Sequence, residues 1–136
     1  MSRYIILVET GADIPYDFIE KYQIQTVPMD VMLGMTVRKD SQLSPKEVFD
    51  YYVHTKTLPT MAGCCPDDYK RIFQSIHVRW PEKYILHLSY SSEECSAYRN
   101  ALLAAGDLDY VISIDTKLVS AGQAAVALSV AQYLEA

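Results

Sequence analysis

Tyr4-Ile5-Ile6-Leu7-Val8 is an unbroken apolar run rich in β-branched residues, the pattern of a central strand buried on both faces. Glu9-Thr10-Gly11-Ala12-Asp13 interrupts it, and Pro15 opens a short helix over residues 16–22. A second strand is predicted over residues 26–33, and Gly34 then turns the chain into a weaker extended piece at 35–38. Ser44-Pro45-Lys46-Glu47 is a helix start: serine caps, proline suits the first turn, and Glu47 completes a capping box. That helix runs to about residue 54. A loop is predicted at 58–65, and Pro66-Asp67-Asp68 starts another helix, which stops before Pro81. Residues 84–88 read as a second buried strand, followed by a Ser-rich turn and a helix from about 93 to 105. Residues 110–114 make a further strand. The closing helix, from about 119, places Val119, Gly122, Val126, Val130 and Tyr133 on one face.

Strands alternating with helices predict an α/β fold, with a mainly parallel sheet and helices on both faces. With 136 residues, a single domain over 1–136 is expected. In such sheets a ligand sits outside the carboxyl ends of the strands. The rule selects four loops, 9–13, 60–65, 89–96 and 115–120, which are all rich in Ser, Thr, Gly and Cys. Small side chains admit a ligand close to the backbone and offer donors, although the same residues also serve plain turns and caps.

Half the residues are apolar and about a fifth are charged, the profile of a globular protein. A net charge of −5, with the basic residues scattered, argues against nucleic acid as a partner. No apolar stretch is long and clean enough to span a membrane; residues 118–134 contain Ser120, Gln123, Ser129 and Gln132. Met1-Ser2-Arg3-Tyr4 leads straight into a strand and shows no signal-peptide architecture. Three cysteines cannot pair fully. A cytoplasmic protein is expected.

The loops, in order, resemble those of the DegV family of bacterial fatty-acid-binding proteins. Residues 8–15, Val-Glu-Thr-Gly-Ala-Asp-Ile-Pro, resemble the family's opening strand and its Asp-Ser-x-x-Asp-Leu-Pro turn. Arg38 with Leu43-Ser44 resembles the next segment. Residues 58–66 stand where the family has Pro-Thr-Thr-Ser-Gln-Pro-Ser-Pro, and residues 91–98 resemble its Ser-Ser-x-Leu-Ser-Gly-Thr-Tyr turn. Ile114-Asp115-Thr116, with Ser120 and Gly122, resembles the closing motif. The resemblance covers the whole chain. It implies the N-terminal lobe of a two-lobed carrier, with the second lobe outside this chain or replaced by self-association. A long-chain fatty acid would lie between the lobes, and some members present it to a separate acyl kinase.

The resemblance further implies a ligand site at Thr10, Thr60, Met61, Ala62, Ser91, Ser92 and Ser120, with the carboxylate at the Ser91-Ser92 turn. A helix N-terminus suits an anion, and Ser91 could equally cap the helix with Glu94 closing the box. Met61 and Ala62 stand where the family has hydroxyl donors. That change favours an alternative, a degenerate domain serving assembly or regulation without a lipid.

No catalytic residue, cofactor or metal is predicted: no nucleophile elbow, P-loop or dinucleotide fingerprint stands out. His54, His77 and His87 read as structural, as two lie on helices and one in a buried strand. Cys64, Cys65 and Cys95 all fall in the two head-group loops, but adjacent cysteines with no nearby histidine make a poor metal set. A phosphocarrier of the mannose phosphotransferase type would need a histidine after the first strand, where this chain has Glu9-Thr10-Gly11.

Overall fold

A computed structural model describes residues 2–136; Met1, at the head of the N-terminal segment read above, lies outside the described residues. The elements in chain order are β1 (Tyr4–Glu9), α1 (Tyr16–Tyr22), β2 (Gln25–Val27), β3 (Asp30–Leu33), β4 (Thr36–Lys39) and α2 (Pro45–Thr55). There follow β5 (Thr60–Ala62), α3 (Pro66–Arg79), β6 (Tyr84–Ser89), α4 (Ala97–Ala105), β7 (Val111–Asp115) and α5 (Ser120–Glu135). The main sheet is parallel throughout, in the order β2-β1-β6-β7. A second, antiparallel sheet has the order β4-β3-β5. The predicted α/β class and parallel sheet are both present.

β1 shows why an unbroken apolar run belongs at the centre. Its side chains alternate faces, so Ile5 and Leu7 enter one core with Tyr69 and Phe73 of α3 and Ala97, Ala101 and Ala104 of α4. Ile6 and Val8 enter the other, with Ile14, Ile24, Leu88 and Ala124, Ala127 and Ala131 of α5. Each core seals one face of the same sheet.

Four expectations are corrected. The strand predicted over 26–33 is two strands in different sheets. Pro28 has no N–H for a ladder, and Met29 gives its N–H to Thr10 Oγ1 at 3.0 Å, so pairing stops and the chain changes sheet. The loop predicted at 58–65 contains β5, which pairs with β3 in the register Val31↔Met61; three residues carry no period of their own. The helix expected from about 93 starts at Ala97. Ser91 therefore caps no helix: its Oγ accepts from Glu93 N within a tight turn, and its own N–H donates to Leu118 O. Lastly, the buried face of α5 is Gln123, Ala124, Ala127 and Ala131, with Val126 and Val130 at its margin, whereas Tyr133 is 82% exposed. Alanines let the helix approach the sheet closely, so the larger residues sit to the side.

Candidate functional site

Glu9 ends β1 fully buried at the carboxyl rim of the parallel sheet. Its Oε1 accepts from Tyr69 Oη at 2.6 Å and lies 2.7 Å from His87 Nε2. Its Oε2 accepts from Tyr90 N at 2.8 Å and Gln123 Nε2 at 2.9 Å. A carboxylate only accepts, so Nε2 of His87 carries the proton, while Nδ1 lies 3.1 Å from Ser113 Oγ. Burial pushes the Glu9 carboxyl up, but the His87 bond and charge, with Tyr69 and the Tyr90 amide, outweigh it and hold it at about 2. The node ties β1, β6, α3 and α5 together and presents no free polar atom on Glu9 to a ligand.

The loops above this node converge. A Cβ on Gly63 would lie 2.9 Å from Ala97 N and 3.3 Å from Cys95 Sγ, so only glycine lets the 60s loop rest against the start of α4. Asn100 Nδ2 locks the contact by donating to Cys64 O at 2.9 Å. Likewise a Cβ on Gly11 would come within 2.7 Å of Met29 Sδ and 3.0 Å of the Tyr90 ring. The absence of a side chain there lets Tyr90 close over the first loop.

Beside these loops lies a cleft of about 530 Å³ between the rim of the parallel sheet and the antiparallel sheet. The volume falls in the ~300–1,000 Å³ range of small-molecule sites. Val31 of β3, Met61 of β5, Leu43, Val48 of α2 and two prolines, Pro45 and Pro59, make its wall apolar. Gly11 beside Tyr90, and Asp13 beside Ser120, bring the parallel-sheet loops into the lining, which Asp40 completes. Ser120 Oγ donates to Asp13 Oδ2 at 2.7 Å. Burial and the nearby acidic groups keep the Tyr90 phenol above its ordinary range, and therefore a donor. A second hollow, of about 340 Å³ and lined in part by Lys21, Lys83 and Tyr22, opens at the opposite end of β1, away from the strand ends where α/β ligands bind.

A family profile described as "Uncharacterised protein, DegV family" matches residues 3–136. The chain belongs to the DegV family. Among curated relatives, a protein named "Fatty acid-binding protein" from Thermotoga maritima is 27% identical over 122 residues, covering 85% of this chain and 41% of the relative. A DegV domain-containing protein from Clostridium perfringens is 26% identical over 139 residues, covering 99% of this chain and 49% of the relative. A DegV lipid-binding protein structure from T. maritima superposes with a TM-score of 0.85 at 26% identity, over 99% of this chain and 49% of that one. A fatty-acid-binding DegV protein from Thermus thermophilus gives 0.87 at 23% identity, over 99% of this chain and 48% of that one, which speaks for the fold alone. This DegV chain spans about half the length of the curated relatives it matches.

The DegV motif positions fall into two sets. Met61 and Ser120 line the cleft. Thr60 and Ala62 flank Met61 on the three-residue strand β5, so their side chains alternate away from it. Thr10 spends its hydroxyl on Met29 N. Ser91 is buried in its turn. Ser92 Oγ accepts from Lys117 Nζ at 2.9 Å, and its N–H reaches Asp115 Oδ1 at 3.2 Å. Burial raises the Asp115 carboxyl, yet the bonds from Ser92 and Lys117 hold it at about 2. Ser91 and Ser92 thus flank the cleft through their neighbour Tyr90, and neither lines it.

Tyr90, Asp13, Asp40, Leu43 and Val48 were not legible as site residues in the sequence. Asp13 and Tyr90 lie in loops that the strand-end rule selected and Leu43 in a DegV-like segment, whereas Asp40 and Val48 carried no signal. Cys64 is buried with its thiol on Pro28 O at 3.2 Å, Cys95 is half-buried and Cys65 is exposed; all three are free thiols. Burial pushes the Cys64 and Cys95 thiols up, away from the reactive thiolate. Among the described residues, no three His, Cys, Asp or Glu side chains are placed to hold one metal ion, and no helix is long and apolar enough to cross a membrane.

Proposed function

We propose that this chain binds a long-chain fatty acid, with the acyl tail along the apolar wall of the cleft at Val31, Leu43, Val48 and Met61 and the head towards Gly11, Tyr90 and Ser120. The observation that carries this reading is the cleft itself, which is apolar along one side, bordered by the parallel-sheet loops, and set at the strand ends of a DegV fold. A relative named for fatty-acid binding supports the ligand class. Each methylene removed from water contributes about 0.8 kcal/mol, so tail burial supplies most of the affinity. Met61 fits this division of labour: where the DegV pattern has a hydroxyl, it adds to the apolar wall.

On the same reading the protein is a binder and not a catalyst, and a second lobe or a second copy closes over the cleft. Delivery of the bound acid to a separate kinase rests on the family resemblance alone. Native mass spectrometry of freshly purified protein tests the core of the proposal. A bound mass in the fatty-acid range, or uptake of added oleate at one equivalent, is the expected result. A clean apo mass with no oleate uptake would instead assign the domain to assembly or regulation, the role favoured by the lost hydroxyls at positions 61 and 62.

A further inference from the structure

Residue 11 is glycine for reasons of space and not of backbone. Among the described residues only Gly34 and Gly106 are glycines with positive φ, so the conformation at residue 11 is open to any side chain. A side chain there would meet Met29 Sδ at 2.7 Å and the Tyr90 ring at 3.0 and 3.4 Å. Both backbones that carry this contact are pinned. The Tyr90 amide donates to Glu9 at 2.8 Å, and its carbonyl accepts from Ser89 Oγ at 3.0 Å. On the next residue, Ser91 N donates to Leu118 O at 3.0 Å. The first loop is held as firmly. Thr10 Oγ1 accepts from Met29 N at 3.0 Å, Asp13 N donates to Thr10 O at 3.1 Å, and Ser120 Oγ donates to Asp13.

With both backbones fixed, a methyl group added at residue 11 displaces a side chain. Met29 is 2% exposed and packed into the core, where a close-packed interior leaves it little room to retreat. The Tyr90 ring is half-buried and borders the cleft, so it yields, and the open side to which it yields is the cleft. We propose that residue 11, acting through the Tyr90 ring, sets how much bulk the cleft admits beside the head of an acyl ligand. Glycine keeps the ring back against the first loop, and room remains for a substituent next to the head. Gly11 is then a specificity-determining residue, and the ligands extend from straight acids to acids branched at C2. The assignment rests on the acyl-binding reading, which puts the head towards Gly11, Tyr90 and Ser120.

Competition between hexadecanoate and 2-methylhexadecanoate changes only the bulk beside the head. The full chain is mixed with equal amounts of both, and native mass spectrometry reads the ratio of the two bound masses. The native chain is expected to bind both, within about threefold of parity. Gly11→Ala should move the ratio at least about fivefold towards the unbranched acid, since the added methyl overpacks the site. Tyr90→Trp enlarges the ring over the same bare Cα, should move the ratio the same way, and serves if the first variant does not fold. In a Tyr90→Ala background, which keeps the backbone hydrogen bond to Glu9, Gly11→Ala should leave the ratio unchanged. An unmoved ratio in folded Gly11→Ala or Tyr90→Trp overturns the assignment, as does an equal shift with and without the ring. A native chain that already refuses the branched acid overturns it while leaving acyl binding intact. Binding of neither acid overturns the acyl-binding reading and this inference together.

Discussion

Glu9, at the end of β1, receives four donors on its two oxygens and is sealed from solvent. Asp13, four residues on, has one serine hydroxyl, and Asp40, at the end of β4, keeps a buried oxygen with no partner. Glu9 and Asp13 stand at the rim of the parallel sheet, and Asp40 follows β4 of the other sheet; the Tyr90 amide serves Glu9, while Tyr90 itself lines the cleft together with Asp13 and Asp40. A buried charge surrounded by donors is a structural part, since every change to it leaves a donor stranded. A carboxylate with few donors holds correspondingly less of the fold in place. The contrast separates what holds the rim together from what the rim can bind.

Breaking the saturated side has the largest expected effect. Glu9→Leu leaves Tyr69, His87, Gln123 and the Tyr90 amide without their acceptor. It should cost about 3–5 kcal/mol in urea-unfolding stability. A loss below about 1 kcal/mol would remove Glu9 from its structural role.

The same contrast predicts a pH dependence. The Glu9 carboxyl lies at about 2 when folded, against 4.5 as its ordinary value. Its contribution to stability is therefore complete above pH 4.5 and is lost as the pH falls towards 2. Acid titration of the unfolding midpoint should show that decline in the native chain, and Glu9→Leu should flatten it. An identical slope in both proteins would assign the decline to other groups.

On the unsaturated side the effects fall on binding and spare stability. Met61 is 49% exposed and lines the cleft, so Met61→Asp should leave unfolding within about 0.5 kcal/mol of the native value. It should weaken acyl binding by about tenfold or more, since it puts a charge into the apolar wall. Retained affinity would move the tail to another surface. The smallest effect is expected at Ser92, whose hydroxyl already serves Lys117. Ser92→Ala should change acyl affinity less than about twofold, well short of a lost charge-assisted bond. A tenfold loss would return the head group to the Ser91-Ser92 turn.

Particular residues show how far the sequence could be read. The unbroken run at residues 4–8 announced β1, and its burial on both faces followed. The capping box at Ser44 was legible because all its parts lie within four residues; Ser44 Oγ accepts from Glu47 N at 3.2 Å, as the pattern requires. Ser91, by contrast, stood in a sequence with the same signature and went into a turn. Its N–H is claimed by Leu118 O, a partner 27 residues on that no local pattern names. β5 was missed for the same reason: its signal is its partner, Val31, and not its own three residues.

The order of elements, the parallel sheet and the loops at its carboxyl rim were set by local patterns, since periodicity reports which side of each element meets the core. Which of those loops face one another was settled only by folding. Glu9 meets Tyr69, His87 and Gln123 across 60, 78 and 114 residues of chain. The cleft likewise draws Met61 from β5, whose pairing with β3 in the register Val31↔Met61 is non-local, although β3 and β4 make a local hairpin. Polar groups brought together over such separations leave no periodic trace, because their partnership depends on where the backbone ends up and not on the residues beside them.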